Sequence, residues 1–142
     1  MIRKAAINDA VAIRSLLDQL DYPTEEGFVE SRLPEMLNHP DQELLVYVLD
    51  EQVAGFVSMH FVLQIALPGA FALISYLAVD KGYRGMGIGA KLEEHCTELA
   101  RQRQCDWIQL HCHSRREQAH RFYERQGFTE SRKYFTKSLK NT

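Results

Sequence analysis

Three alternating glycines, Gly85, Gly87 and Gly89, stand between a strand-like segment and a helix-like segment. Each glycine weakens a helix by about 1 kcal/mol relative to alanine, so the cluster indicates a backbone requirement. Glycine allows positive φ angles and lets a ligand approach where a Cβ would obstruct it. Successive backbone N–H groups at a helix N-terminus attract anions. The pattern therefore predicts a phosphate-binding loop at residues 84–89, and a pyrophosphate suits such a loop.

The same residues also satisfy the dinucleotide-binding pattern G-x-G-x-x-G/A, from Gly85 to Ala90. In a Rossmann fold the first glycine follows its strand almost directly, and an acidic residue ends the next strand. Here residues 80–84 intervene, and the next predicted strand ends in His111, Cys112 and His113 without a carboxylate. A P-loop is excluded because no Gly-Lys-Ser/Thr follows. A dinucleotide site is therefore disfavoured.

The remaining elements predict a mixed sheet flanked by helices in a single domain over residues 1–142. A short strand at residues 2–6 precedes two helices, of which the second is expected at about 24–38. A hairpin and a third strand follow, and residues 128–139 are expected to supply one or two closing strands. The predicted order is β-α-α-β-β-β-α-β-α-β.

Composition narrows the class of partner. A net charge of −2 gives no electrostatic reason to expect nucleic acid. Three cysteines without C-x-x-C spacing indicate reduced thiols, and no apolar run suits a secretion signal or a membrane span. We therefore expect a cytoplasmic protein that binds neither nucleic acid nor membrane.

Two segments resemble the signatures of the GCN5-related N-acetyltransferases (GNAT). Residues 77–89 resemble the acetyl-CoA signature Q/R-x-x-G-x-G/A, and residues 119–128 resemble a helix that ends in F-Y-E-x-x-G-F. Gly127 also suits the position that directly follows a helix end. The C-terminal run 116–139 and residues 55–60 are also similar to bacterial aminoalkylphosphonate N-acetyltransferases. The resemblance implies an α/β (α+β) fold of GNAT type. Its mixed, mostly antiparallel sheet would have six to seven strands, flanked by about four helices.

The resemblance also implies roles for single residues. The co-substrate would be acetyl-CoA, transferred directly to an amine in a ternary complex. Its pantetheine arm and pyrophosphate would contact backbone groups of Leu77, Ala78, Val79, Arg84, Gly85, Met86, Gly87, Ile88, Gly89 and Ala90. Tyr123 matches a position where the family often has a tyrosine that protonates the departing thiolate. A phenol has a pKa of about 10 and can act as this acid at neutral pH.

The sequence constrains the general base and the acetyl acceptor less than it constrains the cofactor site. Many family members carry a glutamate before the first signature, where this chain has Ser75 and Tyr76. His60, His111 and His113 are candidate bases because imidazole titrates near neutral pH, and His113 is the one assigned to this role. His60 and Tyr76 are expected to contact the acceptor. No metal is expected, because His111 and His113 lack a third ligand at an obvious spacing.

The acceptor is expected to be a small-molecule amine, with an aminoalkylphosphonate favoured by the closer similarity. Alternatives are a protein or peptide amine, or a CoA-binding regulatory domain without catalysis. Members of the family are often dimers, so a homodimer is a further alternative for this chain.

Overall fold

A computed structural model describes residues 1–112, 116–131 and 134–140. They fall into two compact units, Met1–His111 and Cys112–Thr142. The first unit contains one sheet in the order β1-β2-β3-β4-β5. Its strands are β1 Ile2–Lys4, β2 Gln42–Leu49, β3 Gln52–Val62, β4 Phe71–Val79 and β5 Ile108–Leu110. The first four strands are antiparallel neighbours, whereas β5 runs parallel to β4.

The helices of the first unit are α1 Ala10–Gln19, α2 Phe28–Leu37 and α3 Ile88–Gln102, and the second unit contains α4 Glu117–Arg125. Because side chains alternate along a strand, consecutive β3 residues face opposite sides of the sheet. Phe56 belongs to a buried apolar cluster with residues of α1 and α2. At Gly55 an added Cβ would lie 3.3 Å from Ile88 and Leu92 of α3. Two helices therefore cover one face of the sheet, and α3 packs directly on the other.

The predicted mixed α/β fold is confirmed, but the described residues form fewer strands than the six to seven predicted. Five strands and four α-helices are present in the described ranges. The closing strands expected at 128–139 are not formed by residues 128–131 or 134–139. Alternating apolar residues such as Phe135 and Leu139 favour a strand, yet both are more than nine-tenths exposed. A strand is stabilised by burying one of its faces against neighbours, and these exposed side chains bury little.

A buried carboxylate connects the first strand to the first helix. Asp9 accepts hydrogen bonds from both terminal nitrogens of Arg3, at 2.8 and 3.0 Å, and from the backbone N–H of Ala6 at 2.8 Å. Asp9 is 5% exposed, and its pKa lies below the usual range, mainly because Arg3 donates to it. These bonds fix the entry of the chain into α1, whose far end contributes to the site described below.

We expect Asp9→Ala to lower the free energy of unfolding by about 2 kcal/mol, because hydrogen bonds to a charged group are lost and Arg3 is left unpaired. Urea unfolding measures the change. Asp41→Ala, which removes an exposed pair with Arg103 at 3.2 Å, should cost less than about 1 kcal/mol. The stabilisation from Asp9 should be present above its unfolded pKa and be lost as pH falls through the lower folded pKa. Equal stability of wild type and Asp9→Ala would contradict this account.

Candidate active site

β4 has one more residue than its antiparallel partner in the middle of the strand. The consecutive β3 residues Ser58 and Met59 pair with Tyr76 and Ile74, so Ser75 has no partner on β3. Such an extra residue is a β-bulge, which bends the strand and increases its twist. The sequence-based prediction had noted Ser75 only as the place of an absent glutamate.

The other edge of β4 is open after the bulge. β5 pairs only with residues 72–74 of β4, so residues 75–79 have a single strand neighbour within the described part of the chain. Residues in an antiparallel pair alternate between bonding the partner and facing away from it. The N–H of Asp80 donates to Ala54 of β3 at 2.8 Å. Counting back from Asp80, the backbone groups of Leu77 and Val79 face the open edge.

A loop rich in glycine follows β4 and leads into α3. Gly85 and Gly87 have φ values of 85° and 78°, and a Cβ added at either would meet no atom within 4 Å. Gly87 precedes Ile88, the first residue of α3, whose first-turn N–H groups have no acceptor within the helix. Gly89 lies inside α3 instead of in the loop. The space beside the loop is therefore open, and the first-turn N–H groups of α3 are available to an anion such as the pyrophosphate of acetyl-CoA.

A cleft with a volume of about 710 Å³ lies between α1, α2 and the sheet. Apolar side chains from both helices form much of its wall. Tyr76 and His60, both expected to contact the acceptor, line it together with Ser58, which lies between them on the same face. The ring of Tyr22 packs edge-on against Tyr76 with centroids 5.2 Å apart. The cleft thus reaches β4 at the residue before Leu77.

Two histidines line this cleft and differ in their surroundings. Burial lowers the pKa of His60, and the nearby His39 lowers it further. His60 is therefore neutral at neutral pH. His39 uses its Nδ1 to accept the backbone N–H of Asp41 at 3.0 Å. Of the other histidines considered, His111 is exposed directly after β5, and His113 lies outside the described residues.

The second unit contains Tyr123 on α4. Its ring packs edge-on against Phe122 and Phe128, with centroids 5.1 and 5.7 Å away. The helix ends in a Schellman motif, in which Gly127 has a φ of 95° and the N–H of Phe128 donates to Tyr123 at 3.0 Å. The sequence had predicted a helix end at Gly127, and this is confirmed. The role of Tyr123 as an acid stays a prediction.

Sequence reasoning missed two polar residues beside the glycine loop. Asp80 accepts the N–H of Gly82 at 2.8 Å, and Gln19 of α1 bonds to Asp80 and Lys81. An aspartate two residues before a glycine is a turn signal that could have identified Asp80. Gln19 carries no local signal, because its partners lie more than sixty residues further along the chain.

The sequence profile of the acetyltransferase (GNAT) family matches residues 11–128. The chain belongs to this family. It is therefore an acyltransferase, and acetyl-CoA is the co-substrate that GNAT enzymes use. The predicted family is thus confirmed.

Individual relatives agree with this GNAT assignment. The chain is 28% identical over 144 residues to the aminoalkylphosphonate N-acetyltransferase of Salmonella typhimurium, covering 97% of this chain and 90% of that protein. A transcriptional regulator from Bacillus halodurans C-125 has a similar structure, with a TM-score of 0.90 and 25% identity. The match covers 98% of this chain and 99% of the regulator. Glucosamine-6-phosphate N-acetyltransferase from Arabidopsis thaliana, at 21% identity, shares the fold with a TM-score of 0.85. The match covers 99% of this chain and 98% of that enzyme.

Two further properties concern the described residues of this GNAT chain. Residues 1–112, 116–131 and 134–140 contain no group of three or more His, Cys, Asp or Glu side chains that could hold a metal ion. Across the same ranges, no helix has the length and apolar character needed to cross a membrane.

We expect Gly87→Ala to weaken acetyl-CoA binding at least about tenfold, measured by calorimetry, because a Cβ would occupy the open space beside the loop backbone. A left-handed backbone also costs a non-glycine residue about 1–2 kcal/mol. Gly27→Ala is the matched control, since Gly27 has a φ of 83° and equally open surroundings but lies outside the loop. It should lose similar stability and keep its affinity for acetyl-CoA. Equal affinity in both variants would remove the loop from the cofactor site.

Proposed function

We propose that this chain transfers the acetyl group of acetyl-CoA directly to the amine of a small molecule, with both substrates bound together. The observation that carries the proposal is that two neighbouring residues of β4 face different surfaces. The side chain of Tyr76 lines the cleft, whereas the backbone of Leu77 faces the open edge. An amine in the cleft and a thioester along the edge would meet at this strand. Holding two reactants in attack geometry accelerates such transfers strongly.

The proposed donor site uses mainly backbone groups. Leu77 and Val79 would bind the pantetheine arm as an added strand would, while Ala78 lies between them with its backbone turned toward β3. Residues 84–90 would bind the pyrophosphate. Bound acetyl-CoA supplies an acetyl group activated as a thioester. The outward N–H of Leu77 is suited to stabilise charge that develops on the carbonyl oxygen.

Direct transfer is supported by the state of the cysteines. Burial raises the pKa of Cys96 to about 12, and it also raises the pKa values of Cys105 and Cys112. These thiols are protonated at neutral pH and are poor nucleophiles, because the thiolate is the reactive form. An acyl-cysteine intermediate is therefore disfavoured.

Proton transfers complete the proposed reaction. Tyr123 would give its phenol proton to the departing thiolate, as the family signature implies. His60 is assigned to binding of the amine, because an uncharged imidazole can accept a hydrogen bond without repelling a cation. The proton of the amine would leave through water in the cleft or through His113.

The acceptor is proposed to be an aminoalkylphosphonate, following the similarity to the Salmonella typhimurium enzyme. Arg32 lines the cleft and is the candidate partner of the phosphonate. The cleft volume of about 710 Å³ lies within the range of about 300–1,000 Å³ that is typical of drug-sized ligands. We therefore propose an acceptor with an apolar substituent that contacts the aromatic side chains lining the cleft.

We also propose that residues 1–142 act as one domain, since the family profile spans both units.

The test is amine-dependent release of free CoA in the presence of acetyl-CoA. Aminomethylphosphonate, its phenyl-substituted analogue, methylamine and benzylamine form a matched set. We expect turnover of both phosphonates, with kcat/KM at least about tenfold higher for the phenyl compound, since an aromatic body buries apolar area. Turnover of peptide amines alone would favour a protein acceptor. Binding of acetyl-CoA without release for any amine would favour a regulatory domain.

Tyr123→Phe should lower kcat by about 100-fold while the KM for acetyl-CoA stays unchanged, because general acid catalysis contributes about 10²–10⁴-fold. Steady-state kinetics with the best amine of the set measure this. Tyr134→Phe, in the same unit, is the control and should keep its kcat. An unchanged kcat in Tyr123→Phe would exclude the acid role.

A further inference from the structure

We infer that Gln19 is a positioning residue that couples the acceptor cleft to the cofactor loop. Its side-chain amide bonds to the start of that loop with both of its polar atoms. Nε2 donates to the carboxylate of Asp80 at 3.0 Å, and Oε1 accepts the backbone N–H of Lys81 at 2.9 Å. These two bonds join the end of α1 to the segment that follows β4.

Asp80 carries the contact onward into the loop. The carboxylate oxygen that is not bonded to Gln19 accepts the N–H of Gly82 at 2.8 Å, and the carbonyl of Asp80 accepts the N–H of Tyr83 at 2.9 Å. The N–H of Gly82 and the amide of Gln19 together hold the pKa of this carboxyl below its usual range. Asp80 thereby fixes the turn that leads directly into Arg84 and the glycines.

The same end of α1 fixes one wall of the cleft. Asp21 has a φ of 65°, the N–H of Asp21 donates to Asp18 at 3.1 Å, and the N–H of Tyr22 donates to Leu17 at 2.9 Å. This pair of bonds is a Schellman motif, which makes the chain leave the helix in one direction. Tyr22 consequently packs on Tyr76, with ring centroids 5.2 Å apart. Leu17, Asp21 and Tyr22 all line the cleft.

Gln19 is the last residue of α1, so its backbone belongs to the Schellman motif while its side chain holds the loop. A ligand that orders the loop will therefore also order the 20–24 segment, and the reverse holds by linkage. The inference rests on the proposed function, in that acetyl-CoA is the ligand of the loop. It adds that acetyl-CoA binding prepares the cleft for the amine.

With an aspartate at position 80, residue 19 must be an amide, because it has to donate to the carboxylate and accept the Lys81 N–H at once. Leucine can do neither, and glutamate can accept the Lys81 N–H but repels the Asp80 carboxylate. The pair Gln19→Glu with Asp80→Asn reverses the donor and the acceptor. Its asparagine oxygen would still accept the N–H of Gly82, so the double variant should restore the connection.

The test is hydrogen exchange of the full-length protein with and without acetyl-CoA, read in peptides covering residues 20–26. In wild type we expect acetyl-CoA to slow exchange there at least about threefold. In Gln19→Leu the effect should vanish, and acetyl-CoA affinity should fall about three- to tenfold, as expected for loss of one or two hydrogen bonds. Gln102→Leu, an exposed glutamine that likewise ends a helix, should behave as wild type.

The glutamate and double variants keep the test decisive if the leucine variant folds poorly. Gln19→Glu should lose the protection of residues 20–26, and Gln19→Glu/Asp80→Asn should regain it. Acetyl-CoA binding with equal protection in wild type and in Gln19→Glu would overturn the coupling and leave the proposed function intact. A wild-type protein that does not bind acetyl-CoA would overturn both.

Discussion

The single extra residue in β4 determines which backbone groups of that strand are available to a ligand. Before the bulge, the N–H of Ala72 bonds to Trp107 beside β5, so even-numbered residues face that edge. After Ser75 the alternation is shifted, and Leu77 and Val79 face it instead. The shift also turns the side chain of Tyr76 toward the cleft. The surfaces proposed for the donor and for the acceptor thus adjoin because one residue interrupts the regular strand.

The polar contacts around Gln19 set geometry more than they set stability. A typical hydrogen bond contributes about 1 kcal/mol net, because water competes for both partners. Burial of the apolar cluster beneath α1 and α2 contributes more, since each fully buried large side chain is worth about 1.5–3 kcal/mol. The cluster includes Leu16 and Leu33, both nearly inaccessible to solvent. α1 is therefore held in place mainly by its apolar face, and the two hydrogen bonds of Gln19 join it to the start of the loop.

Local patterns predicted the parts of the site that depend on local backbone chemistry. The glycines at 85 and 87 and the helix end at Gly127 all adopt the positive φ that makes glycine necessary. Properties that depend on distant partners were not predictable in the same way. The bulge at Ser75 exists only relative to β3, and Gln19 meets Asp80 across 61 positions. The second helix begins at Phe28 instead of near residue 24, since Gly27 takes a left-handed conformation before it.

The lowered pKa of His60 bears on whether this residue acts as the general base or binds the amine. A histidine with an ordinary pKa of about 6.5 is already about three-quarters neutral at pH 7. Lowering the pKa therefore adds little free base and weakens that base toward an ammonium group. The same change keeps the imidazole uncharged beside His39, so that the cleft does not repel a cationic amine. Asp21 and Glu35 add negative charge to the same cleft, whereas Arg32 already pairs with Glu35 at 3.5 Å. This balance agrees with the proposed role of His60 in binding the amine, and a phosphonate would have to compete with Glu35 for Arg32.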